Sequence, residues 1–235
     1  MWGLAGALCV TAAVLGCWVP VGERQPAPTG RRPLLHPAVR APGSVVLLSL
    51  TGFGGFLAFV SVYVDRLGSG GAGGVFLLYS AVVLAVRLFG ARLADDRGPK
   101  RVAAAGLVLI ATGLATAAAW HAVIGVYAAT FVMAPGVALQ YPALLSICLA
   151  TSDASERSTV VGSFTMLLDL SQALGLPLLG VVVNLTDERG AFAVGAALAV
   201  TALLVLRRFV HAGDAPVDPA LLHDALEVGP VTPEA

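Results

Sequence analysis

Residues 90–102 read GARLADDRGPKRV, and this charged stretch joins two apolar runs of the length that crosses a membrane. Gly98 can adopt backbone angles that other residues avoid, which favours a tight turn. Asp95 can accept hydrogen bonds or lie near a helix N-terminus, and the cations around it suit a helix end and anionic lipid. An ordinary membrane hairpin would account for the cations alone, but not for the spacing of Asp95, Gly98, Lys100 and Arg101.

The composition indicates that the whole chain, and not only this stretch, suits a membrane. Of 235 residues, 57% are hydrophobic and 12% are charged, whereas a soluble domain carries roughly 25% charged residues. A soluble globular protein is therefore excluded. A disordered chain is excluded as well, because disorder requires low hydrophobicity and high net charge. The net charge of +0 gives no indication of a nucleic-acid partner.

The apolar runs have the length of membrane helices, because about 20 apolar residues cross a hydrocarbon core of about 30 Å. None of the runs alternates polar with apolar residues, which is the pattern of a membrane β-barrel. We therefore predict an all-α polytopic membrane protein with about seven transmembrane helices. The approximate runs are residues 2–20, 43–64, 72–91, 102–120, 122–150, 159–185 and 190–206.

The placement of Arg and Lys predicts the orientation, because cytoplasmic loops retain positive charge. With the loop at residues 21–42 inside, most of the 14 basic residues become cytoplasmic, and only Arg66 and Arg189 lie outside. We expect an outer N-terminus, a cytoplasmic C-terminus and a plasma (inner) membrane location. The predicted organisation is a first transmembrane helix at 1–20, a cytoplasmic Pro/Arg linker at 21–42, a six-helix bundle at 43–209 and a disordered acidic cytoplasmic tail at 210–235.

The charged loop resembles the signature G-x-L-A-D-R-x-G-x-R-R of the major facilitator superfamily. Ala91 and Asp96 depart from that signature. The residues that match it are Leu93, Ala94, Asp95, Gly98, Lys100 and Arg101. The resemblance implies a gating loop, for which the candidate residues are Gly90, Asp95, Arg97, Gly98, Lys100 and Arg101.

Other stretches are similar to the C-terminal half of the same superfamily, in the same order. TGFGGF at 51–56 resembles helix seven, LQYPAL at 139–144 the end of helix ten, GSFT at 162–165 helix eleven and RGAF at 189–192 the start of helix twelve. The resemblance implies that the predicted helices correspond to helices six to twelve of a transporter. It also implies a truncated or half-length chain whose partner is a missing N-terminal half or a separate half-transporter.

Two charges lie within predicted helices, where a charged side chain costs ~3 kcal/mol or more. Asp169 is the deepest acid, and Gln172 shares its helix face. Asp169 either binds a proton or a cationic solute group, or makes a structural hydrogen bond. Arg87 lies near a helix end, where it can extend to the interface, pair with Asp95 or Asp169, or bind a substrate anion.

Polar and aromatic residues near helix breaks are candidates for a solute site. Pro135 and Pro142 interrupt one long predicted helix and are expected to bend it near mid-membrane, and Gln140 and Tyr141 lie between them. The resemblance implies that helices seven and ten line the cavity, while ordinary packing is the alternative for every lining candidate. Those candidates are Phe53, Phe56, Tyr63, Tyr127, Gln140 and Tyr141.

The predicted function is secondary transport, by alternating access, of a small lipophilic or amphipathic solute, with efflux coupled to a proton. The alternative is a seven-helix receptor with an outer N-terminus. An enzyme is not expected, because the sequence has neither a phosphate-binding P-loop nor an HExxH motif. No catalytic residue, cofactor or metal is predicted. The expected partners are the solute, a proton, the lipid bilayer and a second half, in a bacterial cell.

Overall fold

A computed structural model describes residues 35–89 and 98–210, together with Thr11 and Val14. Contacts divide the chain between Pro33 and Leu34, and every helix given below lies in the second unit. The rest of the predicted first helix, the linker up to residue 34, residues 90–97 and the tail from residue 211 lie outside the described residues.

The described part of the chain is helical, with no β-strand. Five helices are long and apolar enough to cross a membrane, and the α2 helix is apolar but shorter. The prediction of an all-α polytopic membrane fold is confirmed. The helices are α1 (Arg40–Arg66), α2 (Gly73–Phe89), α3 (Pro99–Ala119), α4 (Val123–Ala150), α5 (Arg157–Leu185) and α6 (Glu188–Phe209), with 3-10 turns at Pro37–Val39 and Ala154–Glu156.

The helices extend beyond the apolar runs because charged and proline residues fit into their first turns. The helix expected from residue 43 begins at Arg40, and it includes Pro42. Proline is tolerated there because the first backbone N–H groups of a helix have no partner within it. At α6, the Asp187 side chain accepts a hydrogen bond of 2.7 Å from the backbone N–H of Gly190, which caps a helix that starts at Glu188.

The prolines within the bundle lie inside continuous helices. Residues 123–150 form one helix through Pro135 and Pro142, and residues 157–185 form one helix through Pro177. A membrane helix can continue through proline because neighbouring helices compensate for the lost hydrogen bond. The solute site must therefore be identified from the side chains of intact helices.

Contacts at the helix termini define two ends of the bundle. His36, before α1, lies 3.2 Å from Glu156, before α5, so both helices start at one end. At the other end, Arg66 contacts Glu188, and the Arg189 Nε donates to the carbonyl oxygen of Ala118 at 2.7 Å. We call these the Arg40 end and the Arg66 end. The helices α1, α3 and α5 run away from the Arg40 end, and α2, α4 and α6 return to it.

Glycine permits the closest contacts between helix backbones. A Cβ on Gly52 of α1 would lie 2.7 Å from the carbonyl oxygen of Gly195 on α6. A Cβ on Gly106 of α3 would lie 2.9 Å from the carbonyl oxygen of Gly136 on α4. Small residues allow this approach in membranes, where van der Waals packing takes a larger part in helix association. The helices α1 and α4 are thus held against α6 and α3, which leaves a cleft between α1 and α4.

Candidate functional site

A cavity of about 190 Å³ lies between α1, α2, α4 and α5. Among the described residues, its lining combines apolar, aromatic and amide side chains with one guanidinium group and contains no acid. The lining residues are Val46, Leu50, Phe53, Tyr79, Arg87, Val137, Gln140, Tyr141, Leu168 and Gln172.

Helical spacing explains why these residues meet. Val46, Leu50 and Phe53 are four and three residues apart along α1, so at about 100° per residue they share one face. Phe56 and Tyr63 lie about 60–80° further round the helix, on the side away from Leu50. The cavity wall of α1 is therefore the face that carries Val46, Leu50 and Phe53.

The deepest polar group of the cavity is the amide of Gln140, which is 1% exposed. Its Nε2 donates a hydrogen bond to the Ser49 hydroxyl of α1. Ser49 donates its own proton to the carbonyl oxygen of Val45 at 2.8 Å, which leaves a lone pair for the amide. The Gln140 Oε1 has no hydrogen-bond partner among the described residues. The site thus contains a buried acceptor that no group in the described part of the chain satisfies.

The cationic residue in the described lining of the cavity is Arg87, on α2 near the Arg40 end. Arg87 forms no ion pair with any described acid, and Asp169 does not line the cavity. Gln172 of α5 lies against α1, because a Cβ on Gly54 would come within 2.7 Å of the Gln172 Oε1. The charged and amide groups therefore come from three different helices.

Aromatic rings form two walls of the cavity. The rings of Phe53 on α1 and Tyr79 on α2 are tilted against each other, with centroids 5.5 Å apart. The ring centroid of Tyr141 on α4 lies 5.4 Å from that of the buried Phe164 on α5. Such rings provide a planar apolar surface with polar groups at its margin.

Five of the candidates from the sequence line this cavity together: Phe53, Arg87, Gln140, Tyr141 and Gln172. Sequence reasoning missed Val46, Leu50, Tyr79, Val137 and Leu168. The spacing along each helix could have identified two of them, since Val137 precedes Gln140 by three residues and Leu168 precedes Gln172 by four.

The other aromatic candidates lie elsewhere in the bundle. Phe56 and Tyr63 are buried between α1 and α6, each with a ring centroid 5.4 Å from that of Phe192. The Tyr63 hydroxyl is also 3.2 Å from the His121 Nδ1. Tyr127 packs against Gly74 at the start of α2. These residues join helices near the Arg66 end and are not part of the cavity.

Asp169 lies near the middle of α5 and is exposed on the surface of the bundle. It is the only acid in the described helices that is not near a helix end. At about 100° per residue, it lies about 60° beyond Gln172 around the helix, past the edge of the cavity. Asp169 therefore places an exposed carboxyl group near the middle of a membrane helix.

The helix α5 is the least covered of the five membrane helices. Only 22% of its most apolar part is buried, against 39–61% for the others. Exposed residues recur every three or four positions on the side of Asp169, and we call this stripe the Asp169 face. Its residues are Gly162, Thr165, Asp169, Ala173 and Leu176. The helix α2 has one fully buried residue, Val75.

The candidate loop residues Gly90, Asp95 and Arg97 lie outside the described residues. Gly98 has φ +80° and precedes Pro99, the first residue of α3, so the turn needs glycine there. Lys100 and Arg101 lie in the first turn of the same helix.

Comparison with known proteins adds independent information. The family model for the Major Facilitator Superfamily matches residues 44–227. The chain is 28% identical over 173 residues to "Uncharacterized MFS-type transporter YhhS" of Escherichia coli (strain K12), a match that covers 71% of this chain and 41% of that protein. The protein of the same name from Salmonella typhimurium is 26% identical over the same shares. The chain spans about two fifths of the length of these relatives. It belongs to the major facilitator superfamily, a family of transporters.

Proposed function

We propose that this chain supplies one half of a secondary transporter, equivalent to helices six to twelve of the family. In this proposal a second six-helix bundle, on the same polypeptide or another, completes the transporter. The pair moves a small amphipathic solute out of a bacterial cell across the inner membrane by alternating access. The observation that carries the proposal is the cavity between α1, α2, α4 and α5, with its mixed apolar and polar lining.

The size of the cavity supports a site shared with a second bundle. Ligand pockets commonly measure about 300–1,000 Å³, whereas this one measures about 190 Å³. Lining from only four helices of one bundle leaves the remaining wall to another element. A facing bundle would enlarge the site and close it to lipid.

The exposed surface of α5 supports the same arrangement. The Asp169 face carries a carboxyl group at membrane depth, where contact with lipid is costly. It also carries Gly162, beside which an added Cβ would meet no atom within 4 Å. Small and polar residues on one face favour close helix packing in membranes. We assign this face to the contact with the second bundle.

Asp169 is the proposed carrier of the coupling proton. A carboxyl group can accept and release a proton, and this one lies near the middle of α5. Alternating access changes the water exposure of the cavity edge, which lies about 60° round α5 from Asp169. Access of water to Asp169 would then change with the conformation of the transporter.

The distribution of charge supports an orientation with the Arg40 end in the cytoplasm. Lys100, Arg101 and Arg157 lie at helix starts on this end, and Arg207 and Arg208 lie at a helix end there. Arg66 and Arg189 are at the opposite end. Excess positive charge marks the cytoplasmic side of membrane proteins.

Inverted membrane vesicles provide the test, because they retain any second bundle present in the cell. Vesicles from cells that express the chain and from cells that lack it are energised, and a pH-sensitive dye reports the proton gradient. A panel of small amphipathic anions, cations and neutral compounds is then added. We expect at least one compound to dissipate the gradient only in vesicles with the chain.

Asp169→Asn is expected to abolish this dissipation while the amount of protein in the membrane is unchanged. Asp153→Asn is the matched control, because Asp153 is an exposed acid next to a 3-10 turn at the Arg40 end. Equal responses with and without the chain would refute transport. Full proton movement in Asp169→Asn would refute the role of Asp169 alone.

A further inference from the structure

The described lining of the cavity has a cation and no acid to neutralise it. Arg87 contributes a permanent positive charge, and the other polar groups are the phenols of Tyr79 and Tyr141 and the amides of Gln140 and Gln172. A cationic solute would meet repulsion in this lining, whereas an anion would gain a charge-assisted hydrogen bond. The charge of the lining therefore selects the sign of the ligand.

The buried Oε1 of Gln140 adds a second requirement. A buried acceptor without a partner loses stability, because it has given up its hydrogen bonds to water. Among the described residues no donor reaches this oxygen, although Gln140 lines the cavity. A ligand with an O–H or N–H group would satisfy it after the amide turns this oxygen, which is buried in the structure, toward the cavity.

The positions of these two groups suit one small molecule. Tyr127 of α4 packs against Gly74 of α2, and Arg87 and Gln140 each lie thirteen residues beyond that contact in the same direction along their helices. At about 1.5 Å per residue, the two residues therefore lie at a similar depth in the bundle. The Phe53 and Tyr79 rings provide an apolar surface in the same cavity.

We propose that the cavity binds a small aromatic organic acid as its anion, with the carboxylate at Arg87 and a hydroxyl or amino donor at the Gln140 Oε1. The ligand class rests on the proposed transport site, and it narrows the amphipathic solute to an anion with a donor at its far end.

Ligand-observed NMR on membrane vesicles from cells with and without the chain, which retain any second bundle, tests this class without any need for transport. The probes are 4-hydroxybenzoate, benzoate, 4-hydroxybenzyl alcohol and benzylamine. We expect 4-hydroxybenzoate to bind most tightly, benzoate and the alcohol more weakly, and benzylamine not detectably. Benzylamine binding as tight as that of benzoate, or no binding of any probe, would overturn the proposal.

Variants separate the two contacts. Arg87→Gln should weaken 4-hydroxybenzoate about tenfold or more and leave the alcohol unchanged, because it removes a charge-assisted hydrogen bond. Arg87→Lys should retain the preference for the anion. Gln140→Leu should remove the advantage of 4-hydroxybenzoate over benzoate. Arg157→Gln is the matched charge control, since Arg157 is exposed at the same end but outside the cavity.

Equal losses in Arg87→Gln and Arg157→Gln would indicate general attraction to positive charge and would overturn the assigned site. The vesicle assay distinguishes this failure from failure of transport. Anion-selective binding without chain-dependent proton movement would leave the ligand class standing and refute transport. Proton movement driven by cations alone would refute the ligand class and leave transport standing.

Discussion

Arg66 on α1 and Glu188 at the start of α6 form an ion pair of 2.8 Å in which the two partners differ in exposure. The carboxylate side chain is 4% exposed, and the guanidinium side chain is 65% exposed. The carboxylate therefore depends on Arg66 to compensate for its lost hydration, whereas water can solvate much of Arg66. This contact fastens α1 to α6 at the Arg66 end.

Loss of Arg66 should destabilise the bundle more than loss of the whole pair. Arg66→Met leaves a buried carboxylate without its partner, which costs about 3–5 kcal/mol in a buried ion pair. Adding Glu188→Gln should restore part of this loss, because the uncompensated charge is then gone. Thermal unfolding of the purified chain in detergent, monitored by circular dichroism, measures both effects.

Glu156→Gln is the control for that comparison. The carboxylate of Glu156 contacts His36 but is 50% exposed, so its removal should change stability by less than about 1 kcal/mol. Equal destabilisation by Arg66→Met and Glu156→Gln would contradict the importance of burial at Glu188.

The Gln140 amide should favour ligand binding in the cavity while it lowers the stability of the folded chain. Ser49→Ala removes the acceptor of the Gln140 Nε2 and should destabilise the chain by about 1–3 kcal/mol. Gln140→Leu removes the unsatisfied oxygen as well, so it should be neutral or stabilising while it weakens ligand binding. Thermal unfolding of the single and double variants gives the coupling between the two residues.

Thr130→Val is a suitable comparison for the Gln140 variants. Thr130 is fully buried, and its hydroxyl donates only to the carbonyl oxygen of Val126 in its own helix. Its removal leaves no side chain without a partner, so a small effect is expected. A Ser49→Ala variant as stable as Thr130→Val would show that Ser49 does not support the amide.

The glycine contact between α1 and α6 should tolerate no added side-chain atom. In Gly52→Ala the new Cβ would lie 2.8 Å from the Cα of Gly195, and both groups belong to helix backbones that cannot easily move. Overpacking of this kind costs about 1–3 kcal/mol. Gly180→Ala is the control, because its Cβ would make an ordinary contact of 3.7 Å with Phe59. The two variants are compared by thermal unfolding, and equal stability would contradict the close contact.

A larger side chain on the Asp169 face should reduce proton movement only through its effect on a second bundle, and it should not change the stability of the purified chain. Gly162→Leu adds a side chain where this bundle has open space, so the purified chain should remain as stable as the wild type. The same substitution should reduce chain-dependent proton movement in vesicles, because the leucine would separate the two bundles. Ala193→Leu, on the exposed surface of α6, should affect neither measurement. Equal proton movement in both variants would exclude this face as the contact.

Helix existence was predictable because each membrane helix must hide its own polar backbone from lipid over about 20 residues. Helix ends were harder to place, as the starts at Arg40 and Glu188 demonstrate. An apolar run stops at the first charge, whereas the helix continues wherever a cap or an ion pair stabilises that charge. Asp187 and Arg66 provide such partners, and both come from outside the apolar run.

The sequence predicted which types of residue form the candidate site, but not which individual residues line it. Phe53 and Phe56 are both aromatic and three residues apart, yet one lines the cavity and the other packs against Phe192. Arg87 and Asp169 were both notable as charges within helices, but only Arg87 lines the cavity. The direction in which a helix face points depends on its neighbours, and these are not encoded in the spacing of one segment.

The sequence by itself determined that this protein is a helical membrane protein of a transporter family, because apolar length and the charged loop motif are local properties of the chain. Only the tertiary structure decided that α1, α2, α4 and α5 line a cavity to which Arg87 contributes a cation. It also decided that the Gln140 oxygen has no partner among the described residues and that Asp169 faces outward. Lipid imposes helices on any sufficiently apolar segment, whereas the rotation of each helix follows from packing such as that between Gly52 and Gly195.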